Sequence, residues 1–353
     1  MRHVFCKECA PMRAAASSET ELDPPPPATV AAPRRLDPSA AARALTRLFA
    51  LQDVIFLAYL AIVGALVWAA PPGPVRDGCA KVVWVTASVL VAGCLIGRGL
   101  PALPPIVRAV VYRFAIVGVV IANYLTLRDL LQLVRPDAVD DALVRIDLWL
   151  FGVEPALWLE RYNQRPIIEW FSFFYFSYFG ICLAYMLTVV WLSKSGRKTA
   201  EYAVGTALVY CVGQIGYTLV PGYGPIAHLK SSFRGDIDGG FWWSMVWDTV
   251  QAGGAMKDIF PSLHTAAPLW FALFAFQQSK TDRRWRWPAR ITGFFSANII
   301  FSTMLLRWHY GIDVIAGLAL AFGVSYLAPR LVAREEAWRR SLGHAGPWRF
   351  ARD

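Results

Sequence analysis

Residues Val54–Ala70 read VIFLAYLAIVGALVWAA, without one charged side chain. Wound as an α-helix at about 1.5 Å per residue, the run covers roughly 26 Å, close to the ~30 Å of hydrocarbon in a bilayer. A helix on a soluble domain needs a polar face, and this one has none. Comparable runs recur at Lys81–Gly97, Ile106–Leu127, Ile167–Leu192, Tyr202–Val220, Leu263–Phe276, Ile291–Leu306 and Ile312–Leu327. The expected fold class is all-α, a polytopic transmembrane helical bundle of eight spans. The sixth and seventh runs are short and must borrow flanking residues to cross. A count of six or seven, with one short segment re-entrant, is the alternative.

Composition agrees with that reading. The chain of 353 residues is 56% hydrophobic and 17% charged, with mean hydropathy +0.41, against roughly 45–50% and 25% in soluble domains. A net charge of +10 raises the question of nucleic acid. Nucleic-acid binding needs a basic face on a polar domain, whereas these cations sit in short connectors, at Lys194–Lys198, Lys280–Arg290 and Arg330–Arg340. They are topology signals, and no nucleic-acid partner is expected. With eight spans, the connectors bearing Arg98, Arg108 and Arg113, Lys194 to Lys198 and Lys280 to Arg290 share one side with both termini. That side is expected to be cytoplasmic.

Residues 1–47 form a compositionally distinct zone containing Asp23–Pro27 (DPPPP), with Pro33 and Pro38 as helix breakers, and are expected to be a disordered cytoplasmic tail. No apolar run follows Met1, so no secretory signal is expected. His3, Cys6 and Cys9 have metal-like spacing but lack a fourth ligand nearby. Residues 48–104 are expected to hold two helices, 105–330 the remaining transmembrane helices, and 331–353 a basic cytoplasmic tail.

The opposite, outer side receives two long connectors, Arg128–Pro166 and Pro221–Ser262. Within them, Phe151–Leu159 and Phe241–Val250 are aromatic and aliphatic with few charges, as expected of segments lying at the interface. Asp137, Asp140, Asp141 and Asp147 make the first connector acidic. Such charge repels a free polyanion while tolerating a hydroxyl-rich acceptor, or merely keeps the surface soluble.

Two of the five histidines lie at outer ends of predicted helices, His264 after Pro261 and Ser262, and His309 in the turn before Ile312. The helical hairpin between them goes in and comes back, so both return to one face. His309 and Asp313 are four residues apart and share a helical face. A carboxylate there can fix the imidazole tautomer and leave the other nitrogen as nucleophile, with the second histidine as acid and base. That set suits phosphoryl transfer through a phosphohistidine with no metal or other cofactor. An interfacial cap at His264, a structural His309–Asp313 pair and a His2Asp metal centre are the competing readings. A transporter or scaffold is the competing class, and a transporter predicts charge near span midplanes.

Pro261-Ser262-Leu263-His264 resembles the second signature of the type 2 phosphatidic acid phosphatase (PAP2) superfamily, and Ser302 through His309 to Asp313 and Gly317 resembles its third. Ser302-Thr303, His309-Tyr310, Tyr217–Pro225 and Asp147–Pro155 are most similar to the inositol phosphorylceramide synthase branch and its bacterial relatives. The resemblance covers roughly residues 105–330. It implies a PAP2-like transmembrane catalytic core over 105–330, a metal-independent enzyme on a lipid phosphoester, His309 as nucleophile, Asp313 as its partner and His264 as general acid. The superfamily's third-signature arginine is Thr303 here, and its first-signature lysine is Trp158, with Arg165-Pro166 retained. A phosphodiester needs fewer cations than a terminal phosphate, so these departures favour head-group transfer over hydrolysis. Arg165 is the first expected substrate cation, followed by Arg307 and Lys257. Ser262 is a candidate phosphate donor, Tyr310 a wall of the lipid site, and His228 a head-group contact. The partners expected are membrane lipids, a phospholipid or polyprenyl phosphate donor and a lipid or polyol acceptor, in a bacterial plasma membrane.

Overall fold

The computed structural model describes residues 38–254 and 256–348. Among them the chain is helical throughout, without a strand. In chain order the helices are α1 (Pro38–Leu48), α2 (Leu51–Ala69), α3 (Pro74–Cys94), α4 (Pro105–Val134), α5 (Asp140–Phe151), α6 (Pro155–Leu159), α7 (Arg165–Tyr185), α8 (Gly196–Leu219), α9 (Pro225–His228), α10 (Phe241–Gly253), α11 (Leu263–Ser279), α12 (Arg286–Leu305) and α13 (Gly311–Ser341). Wider π-type turns extend α3 to Gly99 and α7 to Trp191.

Each of the eight apolar runs is a helix at its expected place. Five are long and apolar enough to cross a membrane: Leu51–Ala69, Pro74–Gly99, Pro105–Val134, Arg165–Trp191 and Gly311–Ser341. Their outer faces display Trp68, Trp84, Leu125 and Phe322, which are more than half exposed. Water would penalise that surface and lipid does not. The protein is an all-α integral membrane protein.

The other three helices, α8, α11 and α12, fall short of those limits of length and apolarity. Two of them are interior, where small and polar residues replace lipid-facing ones. Gly205 lies under the Trp270 ring, Gly213 against Leu263 and Gly216 against Pro261, so α8 approaches α11 closer than any Cβ would permit. Pro329 inside α13 cannot donate to the carbonyl of Ser325. The Gln277 amide on α11 donates to that carbonyl instead, at 2.9 Å, which ties the two helices together.

One expectation about the N-terminal zone is corrected. Residues 38–47 are helical, because Pro38 occupies the first turn of α1, where its missing N–H costs nothing. The rest of the N-terminal zone, with His3, Cys6 and Cys9, lies outside the described residues. At the other end α13 runs on to Ser341, and the chain then folds back until Trp348 packs edge-on against Tyr112, ring centroids 5.2 Å apart. Nearby, a buried ion pair joins Asp53 of α2 to Arg98 at 2.6 Å, and the Tyr112 hydroxyl donates to the same carboxylate. These contacts lock the first helices onto the end of the bundle where α13 finishes.

Candidate active site

Three chain segments meet where α11 and α13 begin and α12 ends. The first turn of α11 is capped by Ser262, whose Oγ accepts from the Thr265 N–H at 3.2 Å. The Ser262 N–H in turn donates to the Asp313 carbonyl at 3.0 Å, so the starts of α11 and α13 are joined through their backbones. Pro268 leaves the His264 carbonyl without its helical partner, opening that first turn where the histidine sits.

The turn from α12 to α13 is wound tightly. The N–H groups of Trp308 and His309 both reach back to the Thr303 carbonyl, at 3.0 and 3.1 Å, and Arg307 takes a left-handed φ of 65°. Asp313 Oδ2 accepts from the Tyr310 N–H at 2.9 Å and lies 3.5 Å from His309 Nδ1. That separation is long for a hydrogen bond but within ion-pair reach. With Nδ1 turned to the carboxylate, Nε2 is the ring nitrogen left for a substrate.

Asp147 of α5 supplies the next layer. Its two oxygens accept from the N–H groups of Gly311 and Ile312 at 2.6 and 2.8 Å, holding the first turn of α13 in place. Asp140, on the same helix, accepts from the N–H groups of Tyr223 and Gly224 and from the Tyr310 hydroxyl. These two aspartates were expected to charge the outer surface. They are 2% and 0% exposed, because orphan backbone donors of neighbouring segments need acceptors there. Burial pushes the Asp147 carboxyl above the usual carboxylate range, and the two N–H donors oppose the shift.

His264 and His309 face one another with ring centroids 6.3 Å apart. His264 is clasped by Tyr175, stacked at 4.3 Å, and by Tyr178, also at 4.3 Å. Its Nδ1 lies 3.5 Å from the Tyr175 hydroxyl, while its buried Nε2 meets no hydrogen-bond partner. Both imidazoles line a cavity of about 60 Å³ whose other walls include Tyr124, Phe176, Phe179, Trp308 and Asp258.

Of the residues expected at the site, the structure brings His264, His309 and Asp313 together. It does not bring the cations. Arg165 is an exposed side chain 3.4 Å from Asp238. Arg307 is buried under Phe233, donating to the Gly235 carbonyl at 2.9 Å and paired with Glu160 at 3.3 Å. Desolvation there lowers its pKa. Lys257 donates to the Pro136 carbonyl, and His228 pairs with Asp141 at 3.0 Å. Ser262 and Tyr310 are fully buried behind the histidines and do not line the cavity. Among the described residues no lysine or arginine lines it. No group of three or more His, Cys, Asp or Glu among them gathers closely enough to hold a metal ion.

Asp258 is the residue that sequence reasoning missed. It stands in the cavity wall next to Lys257, and desolvation raises its carboxyl pKa while nearby His309 pulls the other way. Only its position three residues before Pro261 could have drawn attention to it.

Comparison with curated proteins and with solved structures gave no match. The profile of the PAP2 superfamily matches residues 141–327, which contain α5 from Asp141 onward, His264, His309, Asp313 and the turns that hold them. With more than half of the chain inside that match, and with its histidine and aspartate motifs folded onto one another, the chain belongs to the PAP2 superfamily.

Proposed function

We propose that the protein is a lipid phosphotransferase of the inositol phosphorylceramide synthase type, working through a phosphohistidine at His309. The observation that carries this reading is the pair of imidazoles 6.3 Å apart across one cavity, one of them backed by a buried carboxylate. His309 Nε2 attacks phosphorus, and the bond from phosphorus to the donor's alkoxide oxygen breaks. His264, protonated as the anionic donor fills the cavity, gives that oxygen its proton. The acceptor hydroxyl then attacks the phosphohistidine, its proton passes to His264, and the phosphorus–nitrogen bond breaks. Asp313 holds the His309 tautomer and balances the charge its ring gains. No step is routed through a metal ion, and turnover in a chelator tests that.

The cavity's lining supports a phosphodiester donor over a phosphomonoester. A dianion would meet Asp258 and, among the described residues, no lysine or arginine, whereas a diester carries a single negative charge. The amino-terminal ends of α11 and α13 add partial positive charge at the same place. The proposed topology has eight spans with both termini cytoplasmic and the site at the outer face of a bacterial plasma membrane. It is supported by the basic connectors lying at the end opposite the histidines. Residues 105–330 are proposed as the catalytic core, with a lipid or polyol alcohol as acceptor.

The test is phospholipid labelled in its phosphate, incubated with purified protein with and without candidate alcohols, then quenched in denaturant. Labelled protein that disappears in His309→Ala, and labelled new lipid that depends on the alcohol, are expected. Phosphate release regardless of the alcohol would instead mark a hydrolase. Unchanged turnover in His309→Ala would remove the proposed nucleophile.

A further inference from the structure

A second cavity, of about 470 Å³, lies at the inner end of the bundle, away from the histidines. Arg47, Arg98, Arg108, Arg339 and His344 line it, with the backbone of Gly343–Pro347 closing one side. Two carboxylates stand close by, and each is already committed. Asp53 pairs with Arg98 at 2.6 Å, and Glu335 pairs with Arg339 at 2.8 Å. Four guanidinium groups against two carboxylates leave a formal excess of two positive charges.

A topology signal does not require this construction. Arg284 serves such a role with 88% of its side chain exposed. Here the Arg98 and Arg339 side chains are only 6% and 3% exposed, and the buried Nε of Arg108 meets no acceptor. Arg98 and Arg339 are neutralised by their carboxylates, and the excess charge rests on half-buried Arg108, whose orphaned Nε is costly to desolvate, and on Arg47 at the exposed rim. A guanidinium fork matches the oxygens of a phosphate group in both spacing and charge.

We propose that this cavity binds a phosphate group, with Arg47 and Arg108 as the ligands left free by the internal pairs. The site draws on the helices that precede the superfamily match and on the tail that follows it. An occupant therefore staples those added segments to the core. The ligand chemistry is shared by an anionic phospholipid head group and by soluble phosphate, and the location at an inner helix end suits either source.

The test uses the full-length protein purified in zwitterionic detergent, with melting temperature and native mass spectrometry as readouts. One arm adds phosphatidylglycerol against phosphatidylcholine, and the other adds inorganic phosphate against chloride at equal ionic strength. Stabilisation by phosphatidylglycerol alone assigns a lipid head group, and stabilisation by inorganic phosphate assigns a soluble ligand. The double variant Arg47→Gln/Arg108→Gln is expected to bind at least tenfold more weakly, and Arg108→Lys, which keeps the charge, to retain most of the binding. No protection in either arm, or equal protection of wild type and double variant, overturns the proposal.

Discussion

Replacing Gly317 with alanine would press a methyl group into the seam between α13 and α11. A Cβ built there lies 2.6 Å from the Ser262 carbonyl oxygen and 3.0 Å from the Thr265 Cβ. The first contact is about 0.8 Å short of the 3.4 Å at which ordinary contact begins, and a backbone carbonyl cannot swing aside. The two helices must therefore separate by several tenths of an ångström at the point where the Ser262 N–H meets the Asp313 carbonyl. Overpacking of this kind costs ~1–3 kcal/mol, offset by up to ~1 kcal/mol from the better helix propensity of alanine. The effect on chemistry is larger, because His264 rides on one helix and Asp313 on the other. Misplacement of about 1 Å costs on the order of 100-fold in rate, so Gly317→Ala is expected to lose roughly 10- to 50-fold in kcat. Gly323 on the same helix is the control, since a Cβ there meets nothing within 4 Å. Turnover and melting temperature of the two variants, measured side by side in one detergent, decide the matter. If Gly317→Ala keeps wild-type kcat, the two imidazoles are not held in register through this seam and the argument fails.

Other expectations follow from the same geometry. Arg165→Gln should change kcat/KM less than twofold, because the exposed pair with Asp238 contributes under ~1 kcal/mol. A hundredfold loss would mean that the outer loop closes over substrate and carries Arg165 with it. Arg307→Gln should lower the melting temperature while leaving KM unchanged, since the side chain braces Gly235 and Glu160 and does not reach the cavity. Asp258→Asn should alter the ranking of donor lipids by head-group charge, read from a panel of labelled phospholipids; an unaltered ranking would place the carboxylate outside substrate reach. Asp147 and Glu154 both have folded pKa values raised by burial above their unfolded values of 3.8 and 4.5. The folded chain therefore holds these protons longer, and its stability should fall as pH rises from those unfolded values through the raised folded ones. Asp147→Asn removes one such contribution and should flatten that slope in pH-dependent thermal denaturation.

The bundle was legible because a helix in lipid must be apolar on most faces, and each run from Val54 to Leu327 announces itself by that alone. The meeting of His264 with His309 was legible for a topological reason, since a hairpin that enters and leaves one surface returns its ends to the same side. The cations were not legible. Whether an arginine faces substrate or a carbonyl depends on partners remote in sequence, such as Glu160 for Arg307, 147 positions away. The roles of Asp140 and Asp147 were hidden for the same reason: the backbone donors they satisfy lie 83 and 164 positions on. Pro38 was misread because a proline stops a helix when it falls inside one and starts a helix when it falls at the first turn.

The grip of Asp147 on α13 has a consequence for variation. It holds amide hydrogens, which every residue but proline possesses, so the clamp is indifferent to what side chain stands at position 312. A saturation library at Ile312 should therefore tolerate broad replacement and single out proline as the inactivating choice. The carboxylate at 147 has no such latitude, and the burden of keeping this corner of the enzyme assembled rests on α5.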